Sequence, residues 1–122
     1  MQLVKIKKRR RVLWKAFFAK TFFEKALGLM FQKKAFPLLF EFESQGTSRN
    51  SIHSLFCPPF DAIFLNSRKQ VVFVIENIKP FSLVLYSPYP SKYLIELPPG
   101  EARKAHLRKG DWLEWNNKSK RV

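Results

Sequence analysis

Along much of the chain, hydrophobic and polar positions alternate with a period of two, the repeat of a β-strand. In LLFEFE, residues 38–43, Leu38, Phe40 and Phe42 share one face and Leu39, Glu41 and Glu43 the other, which predicts a half-exposed strand. LVKIKKRRRVLWKAFFA, residues 3–19, alternates more roughly, with Val12, Trp14, Ala16 and Phe18 on one parity, and predicts one strand with a basic edge. Thr21 followed by Glu24 forms a capping box, and Gly28 suits the left-handed position that ends a helix. One to two helical turns are therefore expected between the first two strands.

SQGTSRNS, residues 44–51, reads as a polar loop. Residues 52–56, 60–65 and 71–76 are apolar on both parities, which predicts three strands covered on both faces. The short polar connection Asn66 to Gln70 makes the last two of these an antiparallel hairpin. Pro80, Pro88 and Pro90 leave room for one short strand near Leu83 to Tyr86, before YLIEL at 93–97. Pro98, Pro99 and Gly100 end that strand and open a helix of about two turns, EARKAHL, whose early Glu101 and late Lys104 and His106 match the helix dipole. RKGD is a turn and WLEW a final strand. About eight short strands with two small helices predict a mainly β fold, a single compact antiparallel β-sandwich or partly closed barrel.

The 122 residues, 46% hydrophobic with thirteen Phe, suffice for one domain with a continuous core. Its expected divisions are a basic N-terminal arm or edge strand over 1–11, a β domain over 12–116 and a basic tail over 117–122. The net charge of +14 is uneven, because Met1 to Lys34 holds eleven Lys and Arg against the single acid Glu24. Such a field attracts polyanions without specifying a fold. Cys57 is the only cysteine, so no intramolecular disulfide forms and a cytoplasmic setting is expected. KIKKRRR before VLWKAFFAKTFF superficially resembles an export signal, yet Lys15 and Lys20 interrupt the apolar part. No apolar run approaches the length of about 20 residues that spans a bilayer.

Four phrases occur in a characteristic order: GLM at 28–30, SIHSLFCPPFDAIFLN at 51–66, IKPF at 78–81, and YLIELPPG with RKGD at 93–111. Together, over residues 12 to about 115, they resemble the domain-of-unknown-function 192 (DUF192) family, particularly its archaeal-type members. The resemblance implies a compact, mainly β domain with no established activity. The motif positions it carries over are Gly28, His53, Pro59, Asp61, Pro98 or Pro99, Gly100, Gly110 and Asp111. Ser54, Cys57 and Pro58 stand where such relatives carry apolar residues, and Phe60 where Ile or Leu is usual, which argues against Cys57 as a shared nucleophile.

SIHSLFCPPFDAIFLN also concentrates the candidate chemistry. In an extended strand, His53 and Cys57 would lie about 13 Å apart, too far for a nucleophile and its base, unless the prolines impose a bend. Ser54, adjacent to His53, would face the other way. A buried thiol and a hydrogen-bonded histidine are the expected outcome. Asp61, between Phe60 and Ala62, needs a partner, backbone donors or an exposed rim. A turn at the prolines would bring His53 to it, forming either a structural clasp or the floor of a polar pocket. His53, Cys57, Asp61 and His106 lack any recognised metal-ligand spacing, and no glycine pattern suits a phosphate cradle, so neither metal nor cofactor is expected.

Three functions remain open. The first is a non-enzymatic domain that binds a ligand or partner through the cluster of His53, Cys57 and Asp61. The second is a nucleic-acid or polyanion binder using Lys5, Lys7, Lys8, Arg9, Arg10, Arg11 and Lys15, with Trp14, Phe17 and Phe18 as stacking candidates. Against it stands a solvated edge strand whose charges prevent aggregation, its aromatic residues serving as core. The third is a hydrolase-like enzyme centred on His53 and Asp61.

Overall fold

The computed structural model describes residues 2–19 and 28–116. The expected helix at 21–27 and the tail at 117–122 lie outside the described residues. The chain forms one six-stranded sheet, curled into a half-barrel, in the order β1-β2-β3-β6-β4-β5. The strands are β1 (Gln2–Lys8), β2 (Arg11–Ala19), β3 (Leu38–Gly46), β4 (Phe60–Leu65), β5 (Val71–Ile78) and β6 (Ser91–Leu97). A 3-10 turn, Ser48–Asn50, and one short helix, α1 (Glu101–Lys104), complete the described elements.

The single strand expected over 3–19 is two. It folds back at Arg9 and Arg10, and Lys8 then pairs with Arg11. Both turn residues have positive φ, 51° and 70°, as a two-residue hairpin turn of matching twist requires. Asn and Gly normally signal such a turn, so two arginines conceal it. All neighbours pair antiparallel except β2 and β3, which run parallel from Phe17–Leu38 to Ala19–Phe40, so that β3 begins beside the last residues of β2.

The period-two pattern sorts side chains onto two covered faces. Leu39, Ile63, Leu65, Tyr93, Ile95 and Leu97 pack on one face with Trp14, Phe18, Leu113 and Trp115. Leu38, Phe40, Phe60, Ala62, Phe64 and Leu94 pack on the other with Leu29 and Cys57. β4 is buried throughout, as its doubly apolar run predicts, and β6 is buried almost throughout as well, whereas the double cover expected for 71–76 is not realised. β5 is only partly covered because it is the sheet edge.

Three expected strands are reduced to isolated bridges: Ile52 with Leu85, and Trp112 and Glu114 with Gln70 and Lys7. The helix expected over EARKAHL ends after one turn, where Ala105 and His106 break off and His106 takes a φ of 55°. The WLEW segment nevertheless has an architectural part. It exchanges backbone hydrogen bonds with Lys7 of β1 and donates one from Leu113 to Lys69 beside β5, so it spans the two sheet edges. Lys8 Nζ adds an ion pair with Asp111 at 3.0 Å. The carboxyl of Asp111 is desolvated, yet the Arg108 amide and Lys8 bring it below its ordinary range.

The strained turn yields a prediction. A bulky residue in the left-handed region costs about 1–3 kcal/mol, so Arg9→Asn with Arg10→Gly is expected to raise stability by about 1–2 kcal/mol in urea denaturation with an unchanged m-value. Unchanged or lowered stability would show that the arginine side chains stabilise the turn themselves.

Candidate functional site

Among the described residues, Asp61 and Glu96 are the two fully or nearly fully buried acids, at 0% and 5% exposure. They lie on adjacent strands in neighbouring register positions, since Asp61 pairs with Leu97 and Ala62 with Glu96. Successive strand residues face opposite ways, so one carboxyl enters each face of the sheet.

Asp61 is satisfied. Its Oδ1 accepts the Asn77 N–H at 2.8 Å, and its Oδ2 accepts the N–H groups of Gly100 and Ala102 at 2.9 and 3.2 Å. Asn77 has a φ of 51° and Gly100 of 92°, and these backbone turns aim the donors. Of the three fates open to Asp61, backbone donors are the one realised. The expected pair with His53 does not form, because these donors occupy the carboxylate on the face of α1.

His53 and Cys57 are instead brought together on the other face. Residues 51–59 form an irregular loop rather than a strand, with Phe56 at φ 58°, so strand spacing does not govern their separation. Ser54, fully buried, ties this loop to the 79–82 turn. Its hydroxyl donates to the Lys79 carbonyl at 2.6 Å and accepts the Ser82 N–H at 2.8 Å, and its carbonyl accepts the Cys57 and Phe81 N–H groups. A hydroxyl so engaged is scaffold. The Cys57 thiol lies 3.4 Å from the Leu55 carbonyl, and His53 Nδ1 accepts the Leu55 N–H at 3.1 Å. Burial, reinforced by the nearby Glu96, pushes the Cys57 thiol up to about 11, so it rests protonated and is a poor nucleophile.

Between this loop, the 28–30 turn and the β3–β6 face lies a cavity of about 420 Å³, lined by Met30, Phe40, Phe42, His53, Cys57 and Glu96 among others. Asn50 fixes one end, its amide donating to the carbonyls of Ser44 and Ser91 at 2.8 and 2.7 Å. Outside the wall, Phe31 and Phe56 stack at 5.4 Å. Both are exposed and at positive φ, and the Phe31 N–H donates to the Phe56 carbonyl at 2.7 Å. Bulky residues held in this region mark a backbone dictated by its surroundings.

Glu96 is the site residue that sequence reasoning missed. No described residue donates a hydrogen bond to its carboxyl, and burial pushes its pKa up to about 8. An unpaired carboxylate inside a protein costs several kcal/mol, so at neutral pH the group is held as the acid. The signal was present in YLIEL, a lone carboxylate in an apolar strand, the same cue that singled out Asp61 in FDAIF. No group of three or more His, Cys, Asp or Glu suited to a metal occurs among the described residues.

The basic candidates lie on the β1–β2 hairpin. Lys5, Arg9, Arg10, Arg11 and Lys15 are exposed, Lys7 is half-buried, and Lys8 is half-buried in its ion pair with Asp111. Trp14 and Phe18 face the core, the former donating to Glu101 at 3.2 Å, which leaves Phe17 as the only accessible ring of the three.

Residues 3–115 match the model of a family described as DUF192, uncharacterized ACR. A UPF0127 protein of Pyrococcus furiosus is 40% identical over 101 residues, 81% of this chain and 84% of that protein. Another, from Pyrococcus horikoshii, is 35% identical over 99 residues, 80% of this chain and 84% of that one. Two crystal structures share the fold with a TM-score of 0.79, each at 22% identity over 93% of this chain. One is described as a candidate transcription regulator from Sinorhizobium meliloti, of which 92% is covered. The other is a protein of unknown function from Novosphingobium aromaticivorans, of which 84% is covered.

The buried acid makes stability depend on pH. Glu96 holds its proton more tightly folded, at about 8, than its ordinary value of 4.5. Its contribution is therefore fully present below about 4.5 and is lost as pH rises through about 8. Chemical denaturation of Glu96→Gln should lack this component, leaving the variant more stable than the wild type at pH 8–9. Parallel pH profiles would show that Glu96 ionises freely in the folded protein.

Proposed function

Given that this chain belongs to the DUF192 family of uncharacterised proteins, we propose that it is a non-enzymatic binding protein whose small ligand occupies the cavity lined by His53, Cys57 and Glu96. The observation that carries this reading is the Glu96 carboxyl, which is 5% exposed, receives no hydrogen bond from a described residue and lines a cavity large enough for a small molecule. Buried polar groups without partners are rare and costly, and a ligand that supplies the partner recovers that cost as affinity. Binding rather than catalysis is favoured because the thiol is protonated, the Ser54 hydroxyl is engaged, and His53 Nδ1 accepts a backbone N–H.

Titration of the isotopically labelled protein with a fragment library checks the reading by nuclear magnetic resonance. Binders should shift resonances of residues 28–30, 40–43, 49–57 and 96 together and raise the melting temperature. Shifts confined to other surfaces would sink it.

A second reading is favoured by the hairpin, where Lys5, Arg9, Arg10, Arg11 and Lys15 are exposed around one protruding turn. The fold-level neighbour described as a candidate transcription regulator is compatible with it. Here nucleic acid is held through phosphates, with little stacking because Trp14 and Phe18 are core. Binding to duplex DNA should then fall steeply with salt, and replacing Arg9, Arg10 and Arg11 by Gln should reduce the log–log salt slope by about 0.9 for each phosphate left without its cation. Binding insensitive to salt or to these changes would rule it out.

A further inference from the structure

The charges around Glu96 are unbalanced in a particular way. From β3, Phe40 and Phe42 line the cavity with Glu43 at its mouth. From the 51–59 loop come His53, whose Nδ1 accepts the Leu55 N–H, and Cys57, whose thiol lies against the Leu55 carbonyl. The register neighbours of Glu96, Leu38 and Ala62, carry no charge. Arg49 is the only basic lining group besides His53 among the described residues. It is exposed, and its guanidinium donates to the Gln45 carbonyl. Among the described residues, the interior therefore offers an acid, two aromatic rings and no cation of its own beyond His53.

We propose that the cavity takes an organic ammonium ion with an apolar body, its N–H groups on the Glu96 carboxylate and its body against Met30, Phe40 and Phe42. This inference deepens the binding reading and rests on it. An ammonium supplies the donors that Glu96 lacks, and the aromatic faces attract a cation while accepting its hydrocarbon. An anion would gain no such ion pair and would meet the exposed Glu43 among the lining residues. The net charge of +14 opposes a cation here only weakly, because salt screens charges more than about 8 Å away at physiological ionic strength.

The proton balance gives the assignment a signature. Empty, Glu96 titrates at about 8, so at pH 7 about nine-tenths of it is protonated. Binding R–NH3+ converts the acid to the carboxylate, and that proton leaves to the buffer.

Calorimetry on the full chain tests this with hexylamine, 1-hexanol and hexanoate, in two buffers of different ionisation enthalpy. Hexylamine should bind with release of about 0.9 proton at pH 7, and its affinity should rise about tenfold from pH 6 to pH 7. Glu96→Gln should abolish the release and weaken hexylamine at least tenfold while leaving 1-hexanol unchanged. Hexanol or hexanoate binding as tightly as hexylamine, or hexylamine binding without proton release, would overturn the ammonium assignment and leave the cavity as a binding site. Absence of saturable binding by all three would overturn both.

Discussion

The Asp61 carboxylate and its three backbone donors join parts of the molecule that the sheet alone does not. From the start of β4, Asp61 reaches a left-handed residue near the end of β5 and the turn that opens α1. Hydrogen bonds to an ionised group contribute about 1.5–3 kcal/mol each, and removing the acceptor would strand buried N–H groups. This fixes where β6 ends, how α1 lies across one face, and how β5 bends at its far end. α1 then sets Glu101 beside Trp14, connecting the N-terminal hairpin to the same assembly.

Closure of the half-barrel depends on a second, weaker set of contacts. An open sheet of six strands leaves two edges, and the 110–115 segment meets both through backbone hydrogen bonds and the Lys8–Asp111 pair. A segment too short for a regular strand thereby protects the edges against pairing with other chains. With both faces of β4 and β6 covered, a polar group placed on either strand must be satisfied internally or face a cavity. Asp61 and Glu96 represent those two outcomes on neighbouring strands. The first is structural because donors converge on it, and the second is a candidate site because no described residue donates to it.

Much of the sheet was legible in the chain. FDAIFL reads as apolar on both parities and became part of the doubly covered centre, whereas the same reading of 71–76 fell on an edge strand. The hairpin at Asn66 to Gln70 followed from its polar turn. The N-terminal hairpin was hidden because Arg9 and Arg10 adopt the left-handed region without the usual residues. Residues 52–56 were misread because apolar composition resembles strand composition, whereas their backbone partners are the Ser54-centred turns. In the site, His53 and Cys57 were visible as chemistry, while the carboxylate they share a cavity with was not Asp61.

By itself, the sequence determined the strand period, the two-faced burial of β4, the predominantly β character and the concentration of positive charge near the N-terminus. Each is a local or additive property, readable from neighbouring residues. Only the tertiary structure decided which buried acid is satisfied and which lines a cavity. FDAIF and LIEL are alike in one dimension, and the number of N–H groups around each carboxyl depends on loops distant in sequence. Long-range register put Asp61 beneath Gly100 and Ala102, and put Glu96 in the wall of a cavity where no described residue donates to it.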